Sequence, residues 1–170
     1  MRTLGIDPGT RVMGYGIVEG VGNKLKHIDN GAIFTNTDEP LPLRLKTLYD
    51  GISEAIDKYE PQVISIEEVF FAKNAKSAMK LGHARGVAIL AGVNRGLEIF
   101  EYSATAIKSA VVGYGRAEKG QVQQMVKILL NLPEIPQADA ADALAAAICH
   151  INTAGSNNSL HLLRKESKRR

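Results

Sequence analysis

The chain has 170 residues, of which 45% are hydrophobic and 23% are charged. These values fit a single soluble globular domain with its own core, and they exclude a disordered, collagen-like or disulfide-stabilised chain. The formal net charge is +3, but the last twelve residues alone carry +4, which leaves −1 on residues 1–158. The overall charge is therefore not by itself evidence for a polyanionic partner.

The first part of the sequence is typical of an antiparallel meander. Extended segments are predicted at 3–6, 12–18 and 24–34, and they are separated by an Asp-Pro-Gly turn at 7–9 and by glycines near residue 20. An amphipathic helix is predicted after Pro42, because apolar residues recur at helical spacing from Leu45 to Ile56.

Strands and helices then alternate along the chain. This order predicts an α/β fold with a mixed five-stranded sheet flanked by helices. We expect one domain over residues 1–152 and a flexible basic tail over residues 153–170. The remaining strands are predicted at 62–69 and 97–102, and the remaining helices at 75–94, 104–112, 119–130 and 138–151.

Cellular location and redox state are also indicated by the sequence. No secretory leader or membrane-spanning apolar run is recognisable, so we expect a cytoplasmic protein that does not bind membranes. The single cysteine, Cys149, cannot form an internal disulfide, and we expect it to be a small buried apolar residue.

Four carboxylates occur at positions that suit a catalytic site. Asp7 and Glu67 lie near the ends of predicted strands, where open α/β sheets usually place ligands. Asp139 and Asp142 are three residues apart and therefore share one face of a predicted helix. Taken singly, a turn, a strand end or a helix N-terminus also explains each acid. Taken together, they favour a site for Mg²⁺ or Mn²⁺, and two such ions would support phosphodiester hydrolysis.

A basic segment follows directly after the second of these strands. No acid occurs between Glu68 and Glu98, whereas five basic residues do. Such a segment is either a solvated helix face or a surface that contacts phosphates. An aromatic residue at its start is a candidate to stack on an unpaired base. The predicted DNA contacts are Phe70, Lys73, Lys76, Lys80, Arg85 and Arg116.

Five sequence blocks occur together in one order: LGIDPG at 4–9, IE at 66–67 with VF at 69–70, AKNA at 72–75, LG at 81–82 with ARG at 84–86, and QADAADAL at 137–144. Their order and spacing closely resemble the RuvC family of bacterial Holliday-junction resolvases, and the resemblance covers about residues 1–152. It implies a ribonuclease H-like fold and a homodimer that binds four-way junction DNA. It also implies Mg²⁺-dependent nicking of two strands of like polarity, with 5′-phosphate and 3′-hydroxyl ends. The family's partners are the RuvA and RuvB branch-migration proteins.

The resemblance also assigns roles to residues. Phe70 falls on an aromatic residue that stacks beside the crossover, and Lys108 and Lys119 fall on basic residues important for cleavage. The helix around residues 81–92 matches the one that pairs the protomers. His83 and Lys76 depart from the residues common in the family, and the basic tail lies outside its shared core. The metal-binding acids of the family fall on Asp7, Glu67, Asp139 and Asp142.

Three other functions remain open from the sequence. A ribonuclease H-like nuclease acting on RNA or an RNA–DNA hybrid would use the same carboxylates. The segment GIDPGTR at 5–11 resembles the phosphate loop of actin- and hexokinase-like ATPases, although those proteins need two such domains. A non-catalytic junction-binding protein is the third, and the presence of all four acids argues against it.

Overall fold

A five-stranded mixed sheet is the centre of the fold. The computed structural model describes residues 1–22, 24–68 and 75–167, with residues 156–167 as backbone only. The sheet order is β3-β2-β1-β4-β5, which confirms the predicted five-stranded mixed sheet. The strands are β1 (Arg2–Asp7), β2 (Val12–Val21), β3 (Lys24–Phe34), β4 (Val63–Glu67) and β5 (Glu98–Tyr102).

The pairing of the strands changes direction at β1. β1, β2 and β3 form the predicted antiparallel meander. β4 pairs with β1 in parallel, and β5 pairs with β4 in parallel. The carboxyl ends of β1, β4 and β5 therefore meet at one edge of the sheet, where ligand sites of such sheets usually lie.

In the described part of the chain, five helices cover the two faces of the sheet, and two of them differ by more than one residue from their predicted bounds. α1 begins four residues before Leu45, because proline is tolerated in a first helical turn. α5 continues beyond the predicted end at residue 151 as far as Ser167, and the flexible basic tail stays a prediction. That stretch contains no proline, and the isolated Gly155 weakens a helix without ending it. The helices are α1 (Leu41–Tyr59), α2 (Ala75–Val93), α3 (Ala104–Val112), α4 (Lys119–Leu129) and α5 (Ala138–Ser167).

Each face of the sheet has its own core. α1 and α2 cover one face, where Leu48, Ile52 and Ile64 are fully buried. α5 covers the other face, and α3 and α4 pack against α5. Cys149 is buried in this second core, as predicted. In the part of the chain that the structure describes, no helix combines the length and apolar character needed to cross a bilayer.

Candidate active site

Two of the predicted acids lie at the ends of neighbouring strands. Asp7 is the last residue of β1, and Glu67 is the last residue of β4. These strands are parallel and in register, so both carboxylates leave the same edge of the sheet. Because side chains alternate along a strand, Asp7 lies on the same face as Gly5, and Glu67 lies on the same face as Ser65.

α5 packs very closely against that face. A Cβ atom at Gly5 would overlap the backbone of Ala143 and Ala147. Ser65 Oγ donates a hydrogen bond of 2.6 Å to the backbone oxygen of Ala146. Since Asp7 and Glu67 lie two residues further along their strands, these contacts hold the start of α5 beside both carboxylates.

β2 also packs closely against α5. A Cβ atom at Gly14 would overlap the backbone of Asp139, and one at Gly16 would overlap Leu144. Gly14 is also the antiparallel partner of Asp7, so it brings Asp139 next to that acid. We did not predict this role for the glycines. Their occurrence at alternate positions of a predicted strand, together with an alanine-rich helix, is the signal that would have revealed it.

Burial and the neighbouring carboxylates raise the pKa of Asp7. The pKa of Asp7 is raised to about 7. Burial is the largest cause, followed by the negative charges of Asp142, Glu67 and Asp139. The positive charge of Lys119 acts in the opposite direction. This mutual repulsion means that the four predicted acids converge on one place, and that the nearby protein cations do not balance their charge.

The two predicted catalytic lysines lie at the same place. Burial and then the charge of Asp142 raise the pKa of Glu67, whereas Lys108 and Lys119 lower it. Lys119 Nζ lies 2.7 Å from Asp142 Oδ2. This contact is the main reason that the pKa of Lys119 is raised. Both lysines therefore act electrostatically on the carboxylates.

A cavity of about 250 Å³ opens beside this group. A larger cavity, of about 460 Å³, lies between α1 and the β2–β3 pair on the opposite face, and no predicted site residue lines it. Cavity size alone would therefore select the face of the sheet that lacks the predicted site residues. The smaller cavity is lined by Glu67, Lys108, Lys119 and Asp142 and by the apolar residues Ala104, Ile107, Val122 and Ala145.

Protein donors engage two of the four carboxylates. Lys119 pairs with Asp142, and Gln137 Nε2 donates a hydrogen bond of 2.5 Å to Asp139 Oδ2. Within the described residues, no three His, Cys, Asp or Glu side chains are arranged so that they could hold a metal ion. The oxygen donors suit Mg²⁺, and metal binding requires the Lys119 contact with Asp142 to adjust.

The predicted DNA contacts lie in different surroundings. Phe70 and Lys73 lie outside the described residues. Lys76 and Lys80 are exposed at the start of α2, and Arg116 is exposed shortly before α4. These three residues stay predicted contacts.

Arg85 is engaged by the protein itself. Its guanidinium forms an ion pair with Glu101, and Arg85 Nε donates a hydrogen bond of 3.3 Å to the backbone oxygen of Glu67. The Arg85 side chain is only 20% exposed. Arg85 therefore braces the end of β4, and this role competes with the DNA contact predicted for it.

Sequence comparisons match this chain to one family. The family model described as "Crossover junction endodeoxyribonuclease RuvC" matches residues 3–150. A relative of that name from Syntrophotalea carbinolica is 63% identical, with 94% of this chain and 99% of the relative covered. Another, from Geobacter metallireducens, is 60% identical, with 96% of this chain and 100% of the relative covered.

A structural comparison leads to the same family. The structure of T. thermophilus RuvC in complex with Holliday junction substrate has a TM-score of 0.88 and is 31% identical. The alignment covers 92% of this chain and 96% of that one. This likeness confirms the predicted ribonuclease H-like fold. The chain therefore belongs to the RuvC family of crossover junction endodeoxyribonucleases.

Proposed function

We propose that this protein resolves Holliday junctions by paired, symmetrical nicks in two strands of like polarity, leaving 5′-phosphate and 3′-hydroxyl ends. The T. thermophilus relative, which this chain matches almost throughout, was solved with a Holliday junction substrate. The single observation that supports a catalytic role for this chain is the convergence of four carboxylates where β1 and β4 end and α5 begins. The raised pKa of Asp7 is the most direct sign of this convergence, because the charges of the three other acids contribute to it.

Two Mg²⁺ ions, for which Mn²⁺ would substitute, are the proposed cofactors. The candidate ligands are all carboxylate oxygens, which bind these hard cations in preference to zinc. Bound cations would also remove the repulsion that raises the pKa of Asp7. When bound, the ions supply an activated water and stabilise the leaving 3′-oxygen. The residues that would hold them are Asp7, Glu67, Asp139 and Asp142.

Lys108 and Lys119 would bind the scissile phosphate. Both lysines line the cavity beside the carboxylates, and both lower the pKa of Glu67. A fixed positive charge at this position would offset the negative charge that develops on the phosphate during cleavage. The ion pair of Lys119 with Asp142 keeps the ammonium group at the site before the substrate arrives.

A homodimer would supply two such sites. On α2, Met79, Leu90 and Val93 are between 51% and 67% exposed, which leaves apolar surface for a second copy. A two-fold axis relates two identical sites, as paired symmetrical nicks require.

Three further parts of this proposal rest on the family resemblance. They are the stacking role of Phe70, the RuvA and RuvB partners and the cytoplasmic location.

The test is strand-resolved nicking of a synthetic four-way junction in Mg²⁺. We expect Asp7→Asn to lower the nicking rate by roughly 10³-fold or more, because a metal ligand is lost. Junction binding in Ca²⁺ should persist. Glu67→Gln and Glu68→Gln form a matched pair, since Glu68 is the next residue and is exposed outside the acid group. Only Glu67→Gln should lose activity. Wild-type cleavage by Asp7→Asn would overturn the proposal.

A further inference from the structure

Gln137 makes two different contacts at the start of α5. It immediately precedes the first helical residue, Ala138. Its Oε1 accepts a hydrogen bond of 3.0 Å from the backbone nitrogen of Ala140. Its Nε2 donates the hydrogen bond of 2.5 Å to Asp139 Oδ2. One amide group therefore contacts both the helix backbone and a carboxylate of the site.

The first contact caps the helix, and capping alone does not require glutamine. The acceptor satisfies one of the backbone N–H groups that have no partner at a helix start. Serine, threonine, aspartate and asparagine serve this purpose best. Of these residues, serine, threonine and aspartate carry no amide donor for Asp139, and asparagine is one methylene shorter. The second contact is thus the one that distinguishes Gln137 from an ordinary cap.

The second contact acts on a side chain whose backbone is already fixed. Gly14 packs against the backbone of Asp139 so closely that a Cβ atom would not fit. The remaining freedom of Asp139 is rotation about its side-chain torsions. A hydrogen bond to Oδ2 limits that rotation, so it selects one orientation of the carboxylate.

The donor in this contact is neutral, unlike the donor at Asp142. Lys119 brings a full positive charge to Asp142 and opposes a metal ion there. The amide of Gln137 orients Asp139 and leaves its negative charge available. Hydrogen bonds to the ligands of a metal site typically change metal affinity by 10- to 100-fold.

We propose that Gln137 is a positioning residue that orients the Asp139 carboxylate for metal binding. This inference rests on the proposed function, because it assumes that Asp139 is a ligand. Gln137 itself touches neither metal nor DNA in this role. Its effect should therefore appear in metal affinity and leave the rate at saturating metal nearly unchanged.

The experiment is a Mn²⁺ titration of the full-length, DNA-free protein, with free Mn²⁺ measured by electron paramagnetic resonance. We expect Gln137→Ser to weaken Mn²⁺ binding by roughly tenfold while its metal-free melting temperature stays near wild type, because serine preserves the cap. Gln137→Ala should weaken binding equally and also lower the melting temperature. Gln137→Asn serves as a second cap-preserving variant if Gln137→Ser folds poorly.

Nicking of a four-way junction gives an independent readout. In Gln137→Ser the Mg²⁺ concentration for half-maximal rate should rise roughly tenfold, and excess Mg²⁺ should restore the rate. Unchanged or tighter Mn²⁺ binding by Gln137→Ser, or by Gln137→Asn if Gln137→Ser folds poorly, would overturn the inference and leave Gln137 as a helix cap only.

Asp7→Asn in the same titration separates the two proposals. If Asp7→Asn loses Mn²⁺ binding and Gln137→Ser does not, only the positioning role fails. If Asp7→Asn binds Mn²⁺ as the wild type does, the metal site itself is wrong, and the role of Gln137 is overturned with it.

Discussion

The two faces of the sheet are packed in contrasting ways. On the α1–α2 face, large aliphatic side chains such as Leu48 and Ile52 are fully buried. On the α5 face, strand glycines meet a helix that carries alanine at six of the eight positions 140–147. Large apolar side chains stabilise through the area that they remove from water. Glycine and alanine contribute little of that area, but they let a helix backbone approach a sheet closely.

Because of this difference, the geometry of the site depends mainly on the α5 face, whereas the stability of the protein depends strongly on the α1–α2 face. The α5 face brings the acids of one helix against the acids of two strands, and small residues make that approach possible. The α1–α2 face supplies much of the hydrophobic burial, and it lies on the opposite side of the sheet from the acids of α5. Substitutions on the two faces should therefore have different effects on unfolding and on nicking, and the following variants test that expectation.

Gly5→Ala should have the largest effect, because the new methyl group would overlap the backbone of α5. We expect the free energy of unfolding to fall by about 3 kcal/mol or more. Displacement of α5 by even 1 Å should also lower the nicking rate by roughly 10²-fold. Urea unfolding and junction nicking at equal protein concentration would measure both effects.

Gly120→Ala is the matched control for that variant. Gly120 lies in α4, where a Cβ atom would meet nothing within 4 Å. The same substitution should therefore stabilise the protein by about 0.5–1 kcal/mol, because alanine favours a helix. Equal destabilisation by both variants would contradict the close-approach argument.

Leu48→Ala should lower stability by about 3 kcal/mol through a cavity in the core of the α1–α2 face. The melting temperature should fall by roughly 6–12 °C for a chain of this size. The nicking rate per folded molecule should stay near wild type at about 25 °C. A loss of nicking as large as that of Gly5→Ala would show that the two faces are not separable.

The contrast between the faces was only partly predictable from the sequence. Apolar spacing predicted the strands and helices, because that pattern repeats within each element. The spacing of Asp139 and Asp142 placed both acids on one helix face for the same reason. The pairings of Arg85 with Glu101 and of Ser65 with Ala146 join residues of different elements. Their partners depend on how the sheet and helices pack, which local periodicity does not report.

His150 provides a smaller test within the α5 face. It is 4% exposed, and His150 Nδ1 lies 2.8 Å from Tyr102 Oη. Its ring centroid lies 4.2 Å from that of Phe100. Burial lowers the pKa of His150, and the charge of Glu98 opposes this effect.

The lowered pKa of His150 determines the sign of a pH effect. The unfolded chain binds a proton at His150 near pH 6.5, and the folded protein binds it only at lower pH. Stability should therefore fall as the pH drops below about 6.5. Urea unfolding at about pH 8 and pH 5.5 should show a larger loss for wild type than for His150→Gln. An equal loss in both proteins would assign the pH dependence to other groups.

Arg85 gives the smallest and most specific test, because it links the two faces. It belongs to α2, yet it binds the backbone of Glu67 at the active site. We expect Arg85→Ala to lower stability by less than about 1 kcal/mol, as is usual for a partly exposed ion pair. The nicking rate should fall several-fold because the end of β4 loses its brace.

Lys80→Ala, on the same helix, is the comparison that decides how Arg85 acts. Lys80 is exposed, and as a phosphate contact its loss should weaken junction binding and reduce the salt dependence by about one unit of slope. Arg85→Ala should leave the junction affinity and its salt slope unchanged, because its guanidinium faces Glu101 and the β4 backbone. If both variants reduce the slope equally, Arg85 turns from Glu101 to the phosphates when DNA binds. The link between the faces would then exist only in the free protein.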